Sequence, residues 1–289
     1  MKISFLIVNY KSEELLKASL KSIFNKIVSV DFEIIIINND EKSLFLDDFA
    51  TKVFCLEKIN LKDCKKKRDF VSKKIIVIEN NKNVGFGKAN NLGVLVSRGD
   101  ILCFLNPDTE IRSENIENLL DKFDLDEEIG IIGPRILEKN KYGKISVQAW
   151  SAGKDLGLLE VLKGKIGISE SEKKWNSQKM TKVDWVTGAC LFIRKRLFLQ
   201  LGGFDEEFFL YYEDLDLCKR AREIKKKIIF YPDFEIIHLG GKSFVKNSKQ
   251  KELYFVSQDY YFKKWFGKGE RWVLRFLVFF YRKRYKIFR

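Results

Sequence analysis

The 289-residue chain has one histidine, three prolines and five cysteines. With His238 alone, every chemistry that needs two histidines is excluded: His/His zinc sites, HExxH metalloproteases, and a serine triad built on any other imidazole. The cysteines, Cys55, Cys64, Cys103, Cys190 and Cys218, are odd in number, scattered and in no CxxC pair. A zinc ribbon or a disulfide framework is therefore not expected, and a reducing cytoplasm is. Cys103 and Cys190 lie inside apolar runs, the usual place of buried structural thiols. Few prolines and dispersed glycines exclude a collagen-like or disordered chain. No run approaches the roughly 20 apolar residues of a spanning helix. The apolar start, Ile3 to Val8, is too short for a signal-peptide core and has no small-residue cleavage site behind it.

What is present is positive charge, and it is uneven. The net charge is +14, of which residues 246–289 carry +10, with thirteen Lys/Arg against three Asp/Glu. A nucleic-acid binder of this pI, about 9.4, would spread its excess over the body, so nucleic acid is not the expected partner. The tail reads WVLRFLVFFYRKRYKIFR, bulky aromatics beside basic residues. That mixture suits an anionic membrane surface, where each cation contributes about 1 kcal/mol. The alternatives are a helix packed on the body with solvated lysines, and an RNA-binding tail. A division follows: 1–245 as a catalytic domain and 246–289 as a basic aromatic helical tail.

Along the body, KISFLIV (2–8), DFEIIII (31–37), IIVIEN (75–80) and DILCFLNPD (100–108) read as strands. Residues 13–25 and 89–97 read as helices, the first with Leu16, Leu20, Ile23 and Phe24 at helical spacing. Continuously apolar strands alternating with helices predict an α/β fold, a mostly parallel sheet covered on both faces. IGIIGPRIL (129–137), KVDWVTGACLFIRK (182–195) and KIIFYPDFEIIHLGG (227–241) are also strand-like. Residues 41–74 read as an insertion whose basic run (62–69) is solvated surface. Residues 138–181 read as a long loop or subdomain. Residues 197–226 read as helix, Gly-Gly turn, aromatic loop and helix.

Polar residues gather just after the strand ends, where open α/β sheets bind ligands. Asn38-Asn39-Asp40 ends the second strand and can offer an amide to a nucleobase or ribose, or be a plain turn. Asn106-Pro107-Asp108 holds a carboxylate in a Pro-fixed turn, suited to a hard divalent cation, and is equally good turn chemistry. Asn83 to Asn91 (NVGFGKANN) is a glycine loop feeding a helix, which suits phosphate, but it matches neither GxGxxG nor a P-loop. Glu213-Asp214 opens a helix after Phe208, Phe209, Tyr211 and Tyr212. Acidic residues there favour the helix dipole; a carboxylate among those rings would also be desolvated into a general base. His238 after FEII is either structural or a ligand of metal or phosphate. Trp185 to Ala189 either floors an acceptor pocket or packs in the core with a bulge at Gly188.

In order along the chain, FLIVNYKSEELLKASLKSI, IIIINND, NNKNVGFGKANNLG, FLNPDTEI, VDWVTGACLFIRKRLF, GGFDEEFFLYYEDLDLCKRAR and HLGGKSF resemble the inverting glycosyltransferases of family 2, rhamnosyltransferase-like branch. The resemblance runs from Ile3 to Ser243. It implies the GT-A fold, a Rossmann-like sheet flanked by helices, here followed by the helical tail. It implies a nucleotide-diphosphate sugar donor, of dTDP-rhamnose or UDP-hexose type, and a glycan or lipid-linked acceptor in cell-surface polysaccharide synthesis. By resemblance, Asn9, Asn38, Gly85, Gly87, Asn90, Asn106 and Asp108 line the donor side, and Trp185, Thr187, Gly188 and Glu213 the acceptor side. Asp108 and His238 hold Mg²⁺ or Mn²⁺, and Asp214 is the base. Arg220 and Arg222 lie near the diphosphate or on the helix surface. The family's usual Asp is Asn at position 38, and the first acid of its DxD is Asn106. The expected location is cytoplasmic, at the inner membrane face. A nucleotidyltransferase would need a phosphate-gripping loop after the first strand, where Asn9-Tyr10-Lys11-Ser12-Glu13 stands instead. A non-catalytic membrane- or RNA-binding module on the same fold is the other alternative.

Overall fold

The computed structural model describes residues 1–46, 56–60, 69–140, 142–155, 157–165, 177–239 and 248–284. Cys55, Cys64, the basic run at 62–68, the Gly240–Ser243 part of the HLGGKSF motif and the last five residues lie outside the described residues. The first half alternates strand and helix. β1 (Ile3–Asn9), α1 (Glu13–Lys26), β2 (Phe32–Asn38), β3 (Leu56–Asn60), β4 (Ile75–Glu79), α2 (Phe86–Val96) and β5 (Ile101–Leu105) follow one another. These five strands are all parallel, in the order β5-β1-β2-β4-β3. β1 and β2 are buried at every position because both faces of the sheet are covered. Alternate residues go opposite ways: Phe5 and Ile7 pack with Leu16, Leu20 and Ile23 of α1. Leu6 packs with Val94 of α2. Gly93 lets α2 sit close, since a Cβ there would stand 2.7 Å from the Ile37 side chain.

The second half adds β6 (Thr109–Ile111), α3 (Ile116–Leu125), β7 (Ile129–Lys139), β8 (Ile145–Val147), β9 (Ala152–Gly153), α4 (Leu158–Lys165), β10 (Thr181–Val183), β11 (Trp185–Val186) and β12 (Cys190–Arg194). Then come α5 (Lys195–Gln200), α6 (Glu213–Glu223), β13 (Lys227–His238), α7 (Ser248–Trp265) and α8 (Lys268–Arg284). The main sheet continues from β5 through β12, β7 and β13 to β10, with β6 on β13 and β8 on β7. β12 runs antiparallel to both of its neighbours, so its start lies beside the ends of the parallel strands. This is the α/β architecture expected, including the helical end of the chain.

Several local expectations are corrected. Residues 182–195 are three short strands, because the chain leaves the main sheet at β11 to pair with β9 and returns at β12. The 138–181 segment contains β8, β9 and α4, and the 41–74 segment supplies β3 at the sheet edge. α3 and β6 went unforeseen; α3 buries Ile116, Leu119, Leu120 and Phe123 against the first core. Cys103, Cys190 and Cys218 are buried free thiols, with the first two sulfurs 4.0 Å apart.

Candidate functional site

The carboxyl ends of β1, β2, β4 and β5 form one edge: Asn9 pairs with Asn38, and Asn38 with Glu79. Their amides are tied to one another. Asn9 Nδ2 donates to Asn38 Oδ1 at 2.8 Å, and Asn38 Nδ2 donates to Glu79 Oε2 at 2.7 Å and to the Lys42 carbonyl at 2.8 Å. Asn80 Nδ2 donates to Asn39 Oδ1 at 2.8 Å. Asn9 and Asn38 are thus buried supports of this edge. Asp40 stands above them, accepting the Lys11 and Glu41 N–H groups at 3.2 and 2.8 Å.

β5 delivers Asn106-Pro107-Asp108 to the same edge. Asp108 is buried, and its Oδ1 stands 3.3 Å from His238 Nε2, brought by the end of β13. The two meet because β13 pairs with β6 directly behind the turn, His238 opposite Thr109. Asn106 Nδ2 lies 3.4 Å from the same ring nitrogen. His238 Nδ1 faces Gln148 Oε1 at 3.0 Å. An amide oxygen can only accept, so the ring donates from Nδ1, and in the neutral form of the ring it is the Nε2 lone pair that faces Asp108. A carboxylate and an imidazole lone pair then converge, the arrangement that a divalent cation satisfies. Among the described residues no group of three or more His, Cys, Asp or Glu side chains gathers for a metal. Two protein donors fit Mg²⁺ or Mn²⁺ completed by substrate phosphates and water. Gln148 was not foreseen; it comes from an aperiodic segment, and nothing in the sequence marks it.

The turn is joined to a second carboxylate by two backbone steps. The Asn106 N–H donates to the Ala189 carbonyl at 3.0 Å, and the Gly188 N–H donates to Asp214 Oδ2 at 2.7 Å. Asp214 Oδ1 accepts the Leu215 N–H at 2.8 Å. Burial holds the Asp214 carboxyl above the usual aspartate range, against these two donors, which favour its charge. Glu213 is 5% exposed, with no hydrogen-bond partner on Oε2 among the described residues. Burial, then the Asp214 charge, pushes its carboxyl well above the ordinary glutamate range. Both residues follow a turn in which Tyr211 and Tyr212 adopt φ of +71° and +70°. Bulky side chains rarely occupy this region, at a cost on the order of 1–3 kcal/mol each.

Other expected site residues have structural surroundings. Gly85 (φ +90°) and Gly87 admit the 204–209 loop: Cβ atoms would stand 2.5 Å from the Phe209 carbonyl oxygen and 3.0 Å from the Phe204 Cβ. Asn90 donates to the Phe86 carbonyl at 3.1 Å. Trp185 is a core residue whose indole donates to the Lys154 carbonyl at 2.8 Å. Thr187 is half-buried, and its Oγ1 accepts the Ala189 N–H at 3.3 Å. Arg220 pairs with buried Asp216 at 2.7 Å and Arg222 with Asp155 at 3.0 Å, so both guanidiniums brace α6. A shallow depression of about 680 Å³ lies at the opposite, amino-terminal edge around Arg98, Asp100, Arg194 and Lys195, and no site residue lines it.

The mostly parallel sheet flanked by helices is the fold of GT-A glycosyltransferases. The family model described as glycosyl transferase family 2 matches residues 4–198, and the chain belongs to that family. It is 28% identical over 226 residues to a low-salt glycan biosynthesis hexosyltransferase of Haloferax volcanii, covering 76% of this chain and 61% of that one. It is 26% identical over 218 residues to an N-acetylglucosaminyl-diphospho-decaprenol L-rhamnosyltransferase of Mycobacterium tuberculosis, covering 67% and 69%. In fold it is similar to GalNAc-T7 in complex with UDP, GalNAc and Mn²⁺, with a TM-score of 0.59 and 15% identity, over 82% of this chain and 44% of that one.

Proposed function

We propose that the chain transfers a hexosyl or deoxyhexosyl group from a nucleotide-diphosphate sugar, of the dTDP-rhamnose or UDP-hexose type, to a hydroxyl of a glycan or lipid-linked saccharide, with inversion at the anomeric carbon. The observation that carries this reading is the pair of backbone links, Asp214 to Gly188 and Ala189 to Asn106, which tie a desolvated carboxylate to the Asp108–His238 turn. Asp214 takes the acceptor's hydroxyl proton as that oxygen bonds to the anomeric carbon. The bond from that carbon to the diphosphate oxygen breaks on the opposite face, and the electron pair leaves with the nucleoside diphosphate. Asp108 and His238 would hold Mg²⁺ or Mn²⁺, which when bound neutralises charge on the diphosphate. Gln148 fixes the His238 tautomer for that task. Cell-surface polysaccharide synthesis is the setting proposed, in keeping with relatives named for low-salt glycan biosynthesis and for L-rhamnosyl transfer to N-acetylglucosaminyl-diphospho-decaprenol. A cytoplasmic site at the inner membrane face agrees with a lipid-linked acceptor and the basic tail.

Titration with UDP, dTDP and GDP, with and without Mn²⁺, followed by a panel of nucleotide sugars, tests the reading. Asp214→Asn is expected to keep nucleotide binding and lose transfer by at least about a hundredfold. Asp108→Ala is expected to weaken nucleotide binding and its metal response together. Full transfer by the Asn variant, or binding of no nucleotide by the parent protein, would refute it.

A further inference from the structure

The two left-handed tyrosines before Glu213-Asp214 are held from outside the α/β body, by one stripe of α7. Gln258 Nε2 donates to the Tyr212 hydroxyl at 2.8 Å, and that hydroxyl donates to the Tyr254 hydroxyl at 3.1 Å. Ser257 Oγ donates to the Leu210 carbonyl at 2.8 Å, and Gln250 Nε2 donates to the Tyr211 hydroxyl. The Tyr212 ring packs on Tyr254 and Tyr261, with centroids 5.4 and 5.2 Å apart. Residues 250, 254, 257, 258 and 261 share a single helix face. A neighbouring row holds both flanks of the turn. Lys264 Nζ stands 2.6 Å from Asp205 and 2.7 Å from Asp216, and Trp265 Nε1 donates to Asp216 at 2.8 Å.

We propose that α7 is a positioning element of the site: Gln258, Tyr254 and Ser257 hold the left-handed 210–212 turn that aims Asp214 at the Gly188 amide. The reasons are geometric. Tyr212 is the residue from which α6 starts, and it makes no side-chain cap, so the direction of the first helical turn follows from its backbone. A left-handed pair of tyrosines persists only where surrounding contacts over-determine it. Those contacts converge on Tyr212 from α7, and Ser257 and Gln258 are buried where they make them. Asp214, two residues on, reaches Gly188 only if the turn keeps this form. Polar groups buried to this degree, in a segment read from its sequence as a basic aromatic tail, make α7 a brace of the site.

The proposal rests on Asp214 being the base, so Asp214→Asn is measured in parallel. Tyr212→Phe removes one hydroxyl and keeps the ring; Gln258→Leu removes the amide. Amide exchange at Gly188 and Leu215 is followed without substrate, together with UDP and dTDP affinity and kcat at saturating donor. In both variants exchange at these two amides is expected to rise at least about tenfold, and kcat to fall about tenfold to a hundredfold, with nucleotide affinity unchanged. Unchanged Gly188 exchange in Tyr212→Phe overturns the proposal. So does a kcat loss in that variant matched by loss of nucleotide affinity and by faster exchange throughout, which is plain destabilisation. If Gln258→Leu does not fold, the Phe variant decides alone. An inactive Asp214→Asn beside fully active clamp variants removes this inference only; an active Asp214→Asn removes the base itself.

Discussion

Glu213 and Asp214 are adjacent, yet their carboxyls meet different surroundings: one is buried with its Oε2 unpartnered among the described residues, the other is held by the Gly188 and Leu215 N–H groups. Adjacent positions on a helix point about 100° apart, so only one can face the 188–189 strand entry. A carboxyl whose folded pKa lies above its unfolded value stabilises the fold below the unfolded value, 4.5 for glutamate. That contribution fades as pH rises toward the folded pKa. Glu213→Gln cannot ionise, so its Tm should exceed the parent's in alkaline buffer and converge with it toward pH 4.5. Thermal melts across pH check this; a Gln variant less stable at every pH would refute it. The raised pKa of Asp214 has a kinetic sign. As the proposed base, Asp214 must be ionised, so the acid limb of the kcat–pH profile should lie above the ordinary aspartate value of 3.8.

At the scale of elements, the 204–212 loop stands between α2 and α7 and is fixed by aromatic packing. Phe104, Phe198 and Phe204 form a triad with centroids 4.8–5.3 Å apart. The Phe204 backbone exchanges two hydrogen bonds with Asn91, both 2.9 Å. Phe204→Ala should cost roughly 3–5 kcal/mol, seen as a lower denaturant midpoint. Phe209→Ala should cost under about 1 kcal/mol, because its half-exposed ring contributes little and its carbonyl, which stays, makes the contact to Phe86. Equal losses in the two would refute this division. The continuous apolar runs that became β1, β2, β4 and β5 were legible because a strand buried on both faces must be apolar at each position. α3 was equally available, since Ile116, Leu119, Leu120 and Phe123 stand at helical spacing between charges. The order of strand-end motifs singled out Asp108, His238 and Asp214 as candidates, of which the structure sets Asp108 3.3 Å from His238. Gln148 and the Gln250–Tyr254–Ser257–Gln258 stripe left no such signal, because apolar periodicity does not register polar residues placed for their hydrogen bonds. Gly85 and Gly87 were read toward phosphate, and the structure adds a reason for glycine that the sequence does not show, the close approach of a loop more than a hundred residues distant.

For the whole molecule, the question is what the far side of α8 meets. No described helix is long and apolar enough to cross a membrane. α8 turns Leu274 and Val278 inward to the second core, and Arg271 grips Asp259 of α7 through two bonds of 3.0 and 2.6 Å. The opposite row, Trp272, Phe276, Phe279 and Phe280, is 50–67% exposed, with Arg275 beside it. We propose that this exposed face, large aromatics beside cations in a segment of charge +10, is the part of the chain that meets an anionic lipid surface. The protein should therefore co-sediment with vesicles containing phosphatidylglycerol and not with phosphatidylcholine alone, and raised salt should release it. The triple variant Trp272→Ala, Phe276→Ala, Phe280→Ala should lose most of this binding and keep its Tm, since none of the three rings is buried. Equal binding to neutral vesicles, or undiminished binding by the triple variant, would assign the exposed aromatic row some other role.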